Sequence, residues 1–239
     1  MTDHLQRYIK ALLVLLLIGL TERTLFALHH GSLTETLTLG EVGYALIWGL
    51  RYDAAIASVF AFLALAAAHL IFRLSPASFA TTMRWCTYPA AVGLIALHGS
   101  DLLYFGDAGR HMGYELRDAY TSGGELFAAA LGSYTGPVLL QLALMIPALW
   151  LVKRLLAGTG EPERPRGWRR LMPEAQLVGA LLLTGLLARG GVQGVPLEPL
   201  HAQELGDAQQ AAIALNGAYN ALFSTATPYS PERVMKEEP

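Results

Sequence analysis

Five long apolar runs, each close to the length needed to cross a bilayer, are the feature that most constrains this chain. A hydrocarbon core about 30 Å thick requires about 20 mainly apolar residues at about 1.5 Å per residue in a helix. Runs of this kind lie at about 8–28, 54–72, 85–105, 137–156 and 173–188. With 53% hydrophobic and only 15% charged residues, the chain is unlike an ordinary water-soluble domain. The sequence therefore predicts an all-α, polytopic membrane protein with five transmembrane helices plus interfacial or amphipathic helices.

The ends of two runs leave questions open. The first, built on "ALLVLLLIGL", is too long for a removable signal peptide and lacks its small-residue cleavage site, so we expect it to stay as an anchor. The second run is preceded by "VGYALIWGL", which is either an interfacial helix or an early part of the same helix. The fifth run is the shortest.

The distribution of Lys and Arg predicts the orientation, because cytoplasmic loops retain these residues. If the N-terminus is inside, the inside segments hold Arg7, Lys10, Arg73, Arg84, Lys153, Arg154, Arg164, Arg166, Arg169 and Arg170. The stretch 107–135, which would be outside, holds only Arg110 and Arg117. We therefore expect a protein of the bacterial cytoplasmic (inner) membrane. Residues 1–198 would form the five-helix transmembrane domain and residues 199–239 an extracytoplasmic amphipathic tail, with "AGTGEPERPRGWRR" as a mobile cytoplasmic loop.

Ionisable residues interrupt or border three of the runs, on the side predicted to be outer. A charge in hydrocarbon costs about 3 kcal/mol or more, so such residues tend to face a protein interior and to find partners. Glu22 and Arg23 interrupt the first run, and His98 and Asp101 lie late in the third. The candidate site is an intramembrane polar cluster or lipid-headgroup site, formed by Glu22, Arg51, Asp53, His98, Asp101, Tyr104, Arg110, Arg189 and Gln193.

Spacing refines this set. His98, Asp101 and Tyr104 recur every three residues, which predicts one polar stripe on a helix. Arg51 and Asp53 are two residues apart, so on a helix they point to different neighbours, and we expect them to pair across helices. Two interpretations remain open and are compatible. Buried ion pairs would fix how the helices pack, or a pocket would bring Arg51 or Arg189 to a lipid phosphate, which suits the planar guanidinium fork.

The segment after the fifth run, "LLARGGVQGVPLEPLHAQELGDAQQAAIALNGAYNALFS", bends and then regains helical periodicity. Pro196 and Pro199 forbid a simple helical continuation. Further on, apolar residues fall on one side at helical spacing, which predicts an amphipathic helix on the membrane or against the bundle. That side is formed by Ala211, Leu215, Ala218 and Leu222. Asn216 and Asn220, four residues apart, either hydrogen-bond a partner or face solvent.

Three stretches carry a resemblance to a known family: "GLRYDAAIA", "DLLYFGDAGRHMGYEL" and the passage from "RGGVQGVPLEP" to "ALNGAYNALFS". With the five-run layout, they resemble the membrane part of the lipoteichoic acid synthase family of alkaline-phosphatase-like phosphoglycerol transferases. The resemblance implies an outward-facing sulfatase-like catalytic domain after the tail, with a threonine nucleophile and a divalent metal, manganese or magnesium. It also implies phosphatidylglycerol, an anionic phospholipid, as the phosphoglycerol donor.

The chain departs from that family because it stops at "TPYSPERVMKEEP", with too few residues left for a catalytic domain. Glu198, His201, Glu204 and Asp207 lie close together in sequence, but a solvated polar face explains them better than a metal site. We therefore expect no cofactor or catalytic residue in this chain and no competent transferase on its own. A truncation, a subunit of a split system working with a separate catalytic domain, and a stand-alone relative stay open.

The sequence favours a membrane anchor and lipid-presenting domain of a phosphoglycerol transferase that modifies cell-envelope polymers or glycans. The alternatives are a catalytically empty regulator that binds a partner, and a small transporter or channel. A channel needs polar groups at several depths, and the inner half offers mainly Gln141 and Thr184, which argues against it. A net charge of −2 argues against a nucleic-acid partner, because phosphate backbones require a basic surface.

Overall fold

In the part of the chain that the structure describes, the fold is a bundle of five helices of 17 to 36 residues, with two short helices folded onto one end. The computed structural model describes residues 3–117, 124, 132–157, 167 and 171–226. The α-helices in these residues are α1 (Asp3–His29), α2 (Leu39–Leu74), α3 (Phe79–Ala108), α4 (Thr135–Leu155), α5 (Met172–Ala188), α6 (Ala208–Ala214) and α7 (Gly217–Ala226). Short 3-10 helices occupy Gly31–Leu33, Pro76–Ser78, Tyr114–Arg117 and Pro199–Leu205. Within the described residues every regular element is helical, so the all-α class is confirmed.

Three of the helices are long and apolar enough to cross a membrane. They are α1 from His4 to His29, α2 and α4, and α5 is a shorter apolar helix of 17 residues. These helices make the chain compatible with a membrane protein. The fifth predicted run begins and ends within one residue of α5, and the third run lies inside α3. Five crossings and their orientation stay predictions.

The question about "VGYALIWGL" has a clear answer, because α2 is one continuous helix of 36 residues. Thr38 caps its first turn by accepting from the backbone N–H of Glu41, while the Glu41 carboxylate accepts from the backbone N–H of Thr38. This capping box starts the helix well before the charged residues Arg51 and Asp53. The segment is therefore the first part of the second helix and not a separate interfacial helix.

Helix α2 is the centre of the bundle and packs against α1, α3, α5 and both short helices. Its buried side is rich in small residues, which let neighbouring helices approach closely. They are Ala45, Gly49, Ala57, Ala61, Ala64 and Ala68. Helix α4 lies at the edge against α3 and α1 and buries only Gln141, Ala148 and Val152. Most of its apolar surface therefore faces outward.

One end of the bundle, which we call the basic end, carries Arg7, Lys10, Arg84, Lys153 and Arg154 near the start of α1, the start of α3 and the end of α4. Arg7 Nη1 donates to the carbonyl of Leu156, 3.0 Å away, which joins α1 to the end of α4. Close by, the His4 ring stacks on Phe79 at 4.0 Å between centroids and meets Phe72 edge-on. Among the described residues, ring packing and this hydrogen bond contribute to closing this end.

The opposite end is covered by residues 199–226, which we call the cap. The prediction of one amphipathic helix there is wrong, because the chain forms a 3-10 helix and then α6 and α7, separated at Leu215. Leu215 has an extended backbone, with ψ of 130°, and Asn216 accepts from the Tyr219 N–H and so starts α7. Ala202, Ala218 and Tyr219 belong to the bundle core, so the cap lies against the bundle. The domain division at residue 198 stays a prediction.

Some predictions fall on residues outside those that the structure describes. The basic loop "AGTGEPERPRGWRR" lies almost entirely outside them, as do residues 118–123, 125–131 and 227–239.

Candidate functional site

A charged network joins the cap to α1 and α2. The Arg23 guanidinium forms an ion pair with the Asp53 carboxylate, and both side chains are shielded from solvent. Arg23 Nη1 also donates to the carbonyl of Ala214 at the end of α6, 3.1 Å away. Asn216 Nδ2 donates to Asp53 Oδ1. The prediction that Asp53 pairs across helices is confirmed, and its partner is Arg23.

Two glycines make room for this network at the crossing of α1 and α2. A Cβ on Gly49 would overlap the Arg23 guanidinium and the Ala214 carbonyl. A Cβ on Gly19 would lie 2.9 Å from Asp53 Cγ, closer than real Cβ contacts come. The close approach of these helices therefore depends on the absence of side chains at both positions.

A second network joins the cap to α3 through Asp101. Asp101 Oδ2 lies 2.7 Å from His111 Nδ1, and Asp101 Oδ1 accepts from the Met112 N–H at 2.7 Å. His111 Nε2 lies 2.8 Å from the Ala212 carbonyl. Both ring nitrogens of His111 face acceptors, so both must donate, which requires the protonated ring. Burial lowers the pKa of His111, but the Asp101 charge and these hydrogen bonds outweigh it and raise the pKa above its ordinary value.

The first residues of α7 fit closely against this network. A Cβ on Gly217 would overlap the Asp101 carboxylate. Asn220 Nδ2 donates to the Met112 carbonyl, 2.9 Å away. Both asparagines that the sequence left undecided therefore hydrogen-bond partners outside their own helix.

Between the two networks lies a small cavity of about 20 Å³, with room for about one water molecule. Its walls include Glu22, Arg23, His98, Asp101, His111 and Asn216. His98 is buried, and its Nε2 has no hydrogen-bond partner in the part of the chain that the structure describes. Glu22 and Asp101 line this cavity together with Arg23, which is already paired with Asp53. The walls therefore carry no surplus of positive charge for an anion.

Glu22 is held by α4, since Gln141 Nε2 donates to Glu22 Oε2 at 2.9 Å. A Cβ on Gly99 would lie 2.9 Å from Gln141 Cγ, which places Gln141 beside the third helix at the level of the cluster. The expectation that Gln141 is a polar residue of the opposite half is therefore wrong. Thr184 contacts the Tyr8 hydroxyl at 2.7 Å and lies nearer the basic end.

Arg51 departs from the expectation that it pairs across helices. Its guanidinium lies over the ring of Trp48 on the same helix, 3.4 Å from the centroid, beside Tyr52. Its Nε and Nη2 are shielded from solvent without a hydrogen-bond partner among the described residues. The Tyr52 hydroxyl donates to the Glu198 carbonyl at 3.0 Å, so Arg51 lies next to the start of the cap.

Tyr104 and Arg110 form a separate group outside the cluster. The Tyr104 hydroxyl donates to Glu115 Oε1 at 2.9 Å, and Arg110 forms an ion pair with the same carboxylate. Burial raises the pKa of Glu115, but hydrogen bonds from Arg110, Tyr104 and backbone N–H groups outweigh it and lower the pKa to about 2. The predicted stripe therefore splits, because His98 and Asp101 face the cavity while Tyr104 faces the Tyr114–Arg117 turn.

Arg189 and Gln193 hold one exposed loop at the end of α5. Arg189 Nη2 donates to the Gly194 carbonyl at 2.7 Å and to the Gln193 carbonyl at 3.3 Å. Gln193 Nε2 donates back to the Arg189 carbonyl at 3.4 Å. Leu197 N–H donates to that carbonyl at 2.9 Å, so the loop returns to the end of α5.

The sequence did not single out His111, Gly49, Gly217 or Gln141 as parts of the site, and it named Arg23 only as an interruption of the first run. His111 lies in a connection and Gly217 is the first residue of α7, and at such positions helical periodicity gives no direction for the side chain. Gly49 leaves the space that the Arg23 guanidinium occupies. The sequence does not show this, because the two residues lie on different helices and their contact depends on where the helices cross.

The chain matches no family model, no curated protein and no solved structure. In the ranges that the structure describes, no group of three or more His, Cys, Asp or Glu side chains is placed to bind a metal ion. The divalent metal implied by the resemblance therefore has no fitting ligands among these residues.

Proposed function

We propose that this chain is a membrane anchor that binds the headgroup of an anionic phospholipid beside its cap. It would present that lipid to envelope chemistry of the lipoteichoic acid synthase type, at the outer face of a bacterial cytoplasmic membrane. The three long apolar helices and the motif resemblance support this proposal. Membership of that family, phosphatidylglycerol as the lipid, and the five crossings are parts of the proposal.

The distribution of charge supports an orientation with the basic end inside and the cap outside. From Arg7 to Arg23 is sixteen residues of α1, or about 24 Å. If Arg7 marks the inner boundary of a core about 30 Å thick, Arg23 lies about 6 Å beneath the outer boundary and Asp53, which is level with Gly19, lies about 12 Å beneath it. At these depths charged side chains must be paired, which agrees with the ion pair and the cap that covers it.

The single observation that carries the headgroup assignment is the state of Arg51. Two of its guanidinium nitrogens are shielded from water without a hydrogen-bond partner among the described residues. Donors shielded in this way are costly, because they lose their water, and among the described residues the half-buried Arg51 lies beside the Trp48 ring and Tyr52. A phosphate oxygen is the acceptor that the planar fork matches best, and Trp48 holds the fork in place from one face.

The remaining charges divide into two tasks under this proposal. Asp53, Asp101 and Glu22 accept hydrogen bonds from protein groups and fix the cap and α4. Arg51 and the backbone of Arg189 lie at the same short segment, because the Tyr52 hydroxyl donates to the Glu198 carbonyl and the Leu197 N–H donates to the Arg189 carbonyl. An anionic headgroup next to this segment would lie beside Arg51 and close to the loop that the Arg189 side chain holds.

A pair of arginine variants tests the proposal. Arg51→Ala should lower retention of phosphatidylglycerol, measured by native mass spectrometry of the purified protein, by about tenfold, the equivalent of one charged hydrogen bond of about 1.5 kcal/mol. Arg154→Ala is the matched control, because Arg154 also lies over a tryptophan, Trp150, but at the basic end. It should leave retention unchanged.

The proposal fails if Arg51→Ala retains the lipid as well as the unaltered protein does. Equal losses in both variants would also contradict it, because they would indicate a general effect of positive charge. Unfolding of each variant in detergent provides the check that the bundle is intact.

A further inference from the structure

Helix α5 stops well short of the cap end of the bundle. The Leu5 N–H of α1 donates to Gln176 Oε1 of α5 at 3.4 Å, which sets the two parallel helices in register near the basic end. From Gln176, α5 continues for twelve residues to Ala188, or about 18 Å. From Leu5, α1 continues for twenty-four residues to His29, or about 36 Å.

A second contact gives the same result independently. Thr184 Oγ1 of α5 donates to the Ser58 carbonyl of α2 at 3.4 Å. Beyond that level α5 has four more residues, about 6 Å, whereas α2 runs another nineteen residues to Leu39, about 28 Å. Both registers therefore place the end of α5 about 20 Å below the cap ends of its neighbours.

The chain leaves α5 as an irregular loop on the outside of the bundle. Gly190 and Gly191 have φ of 84° and 117°, which an L side chain rarely adopts. Val192 is 94% exposed and Val195 57% exposed, and Arg189 is exposed as well. We call residues 189–197 the recess loop.

The depth of this loop conflicts with a flat bilayer. With Arg7 at the inner boundary, α5 ends about 15 Å into a core about 30 Å thick. Irregular backbone and exposed arginine at that depth are tolerated only beside protein or water, because hydrocarbon cannot hydrogen-bond them. Apart from Leu197, which is buried in the core, the recess loop is exposed or half-exposed, so the described part of the protein does not enclose it.

We propose that the recess loop is the floor of a lateral opening in the outer half of the bilayer, into which a glycerophospholipid lowers its phosphate toward Arg189 and Arg51. Its acyl chains then lie along the exposed apolar side of α5, formed by Val178, Leu181 and Leu182. The cap closes the opening on the inner side, because Tyr219 binds the Leu197 carbonyl at 2.7 Å. This inference rests on the proposed function for its orientation and for the lipid.

Site-directed fluorescence tests the depth of the loop. Cys86 is the only cysteine in the sequence, so a Cys86→Ser background allows one label at a time. In phosphatidylcholine vesicles that contain phosphatidylglycerol, a label at Val192→Cys should be quenched by aqueous iodide nearly as well as one at Ser32→Cys, in the α1–α2 connection. A label at Leu182→Cys should be several-fold less accessible.

A Val192→Cys label as shielded from iodide as the Leu182→Cys label, and quenched best by lipids brominated near the chain ends, would overturn the inference. A quencher on the phosphatidylglycerol headgroup should act more strongly on the Val192→Cys label than the same quencher on phosphatidylcholine. Equal quenching by the two lipids would remove the anionic headgroup from the opening.

The lipid-retention experiment on Arg51→Ala separates this inference from the proposed function. Normal retention in Arg51→Ala with a water-accessible Val192→Cys label would overturn the headgroup assignment and leave the opening in place. Lost lipid retention in Arg51→Ala together with a shielded Val192→Cys label would support the headgroup assignment and overturn the opening.

Discussion

The two ends of the bundle are closed by different interactions. At the basic end, the described residues pack His4 among aromatic rings, and the buried Arg7 donates to the Leu156 carbonyl. At the cap end, Arg23, Asp53 and Asp101 are buried and reach backbone or side-chain groups of the cap and of the connection after α3.

This difference concerns the role of the buried charges at the cap end. A buried ion pair contributes little to stability compared with apolar packing of the same volume, but removing one partner leaves an uncompensated charge. Such a pair therefore suits a place where one arrangement of two segments must be selected. Among the described residues, the contact between the bundle and its cap is such a place.

The largest expected effect comes from removing Asp53. Asp53→Ala leaves the Arg23 guanidinium buried without its carboxylate and should destabilise the protein by about 3–5 kcal/mol in detergent unfolding. Asp107→Ala is the control, since Asp107 is an exposed carboxylate that accepts from Tyr134, and it should change stability by about 0.5 kcal/mol or less. Similar effects of the two variants would erase the distinction between the two kinds of carboxylate.

A smaller effect is expected from adding one methyl group beside Asp101. Gly217→Ala would place its Cβ on the carboxylate and should cost about 1–3 kcal/mol, because the cap must shift to admit it. Gly179→Ala in α5 meets nothing within 4 Å and should be neutral or slightly stabilising. Thermal unfolding of both variants decides the point, and a neutral Gly217→Ala would mean that α7 is not seated on Asp101.

The cap end should also respond to pH through His111. The charged and titratable groups that interact with the His111 ring are Asp101, Arg23, His98 and His30. Because the pKa of His111 is raised in the folded protein, its contribution is complete below the ordinary value of 6.5 and is lost as pH rises through the raised value. The difference in Tm between the unaltered protein and His111→Gln should therefore shrink from acidic to alkaline pH. A difference that grows with pH would contradict the charged pair.

The smallest effect is expected at the exposed pair of Arg110 and Glu115. Arg110→Ala should change stability by about 0–1 kcal/mol, because solvent screens exposed ion pairs. Added salt should reduce the effect further in the same unfolding measurement. A loss of stability as large as that of Asp53→Ala would show that the Tyr114–Arg117 turn stabilises the cap end as much as the buried network does.

Much of the fold follows from the sequence because apolar runs bounded by charges and prolines specify helices locally. The runs at 137–156 and 173–188 begin and end within about two residues of α4 and α5. The broken tail was not predicted, since the break depends on Asn216 reaching Asp53, a contact 163 residues away in sequence. The sequence also did not predict that Arg23 is the partner of Asp53. That pairing depends on how α1 and α2 cross at Gly19 and Gly49.

The most direct test of the account is a double-mutant cycle between the bundle and the cap, with Asp53→Ala and Asn216→Ala measured singly and together in detergent unfolding. Because Asn216 donates to Asp53, we expect the two changes to be non-additive by about 1–3 kcal/mol. Additivity within about 0.5 kcal/mol would mean that the two residues do not share an interaction and that the buried charges do not hold the cap.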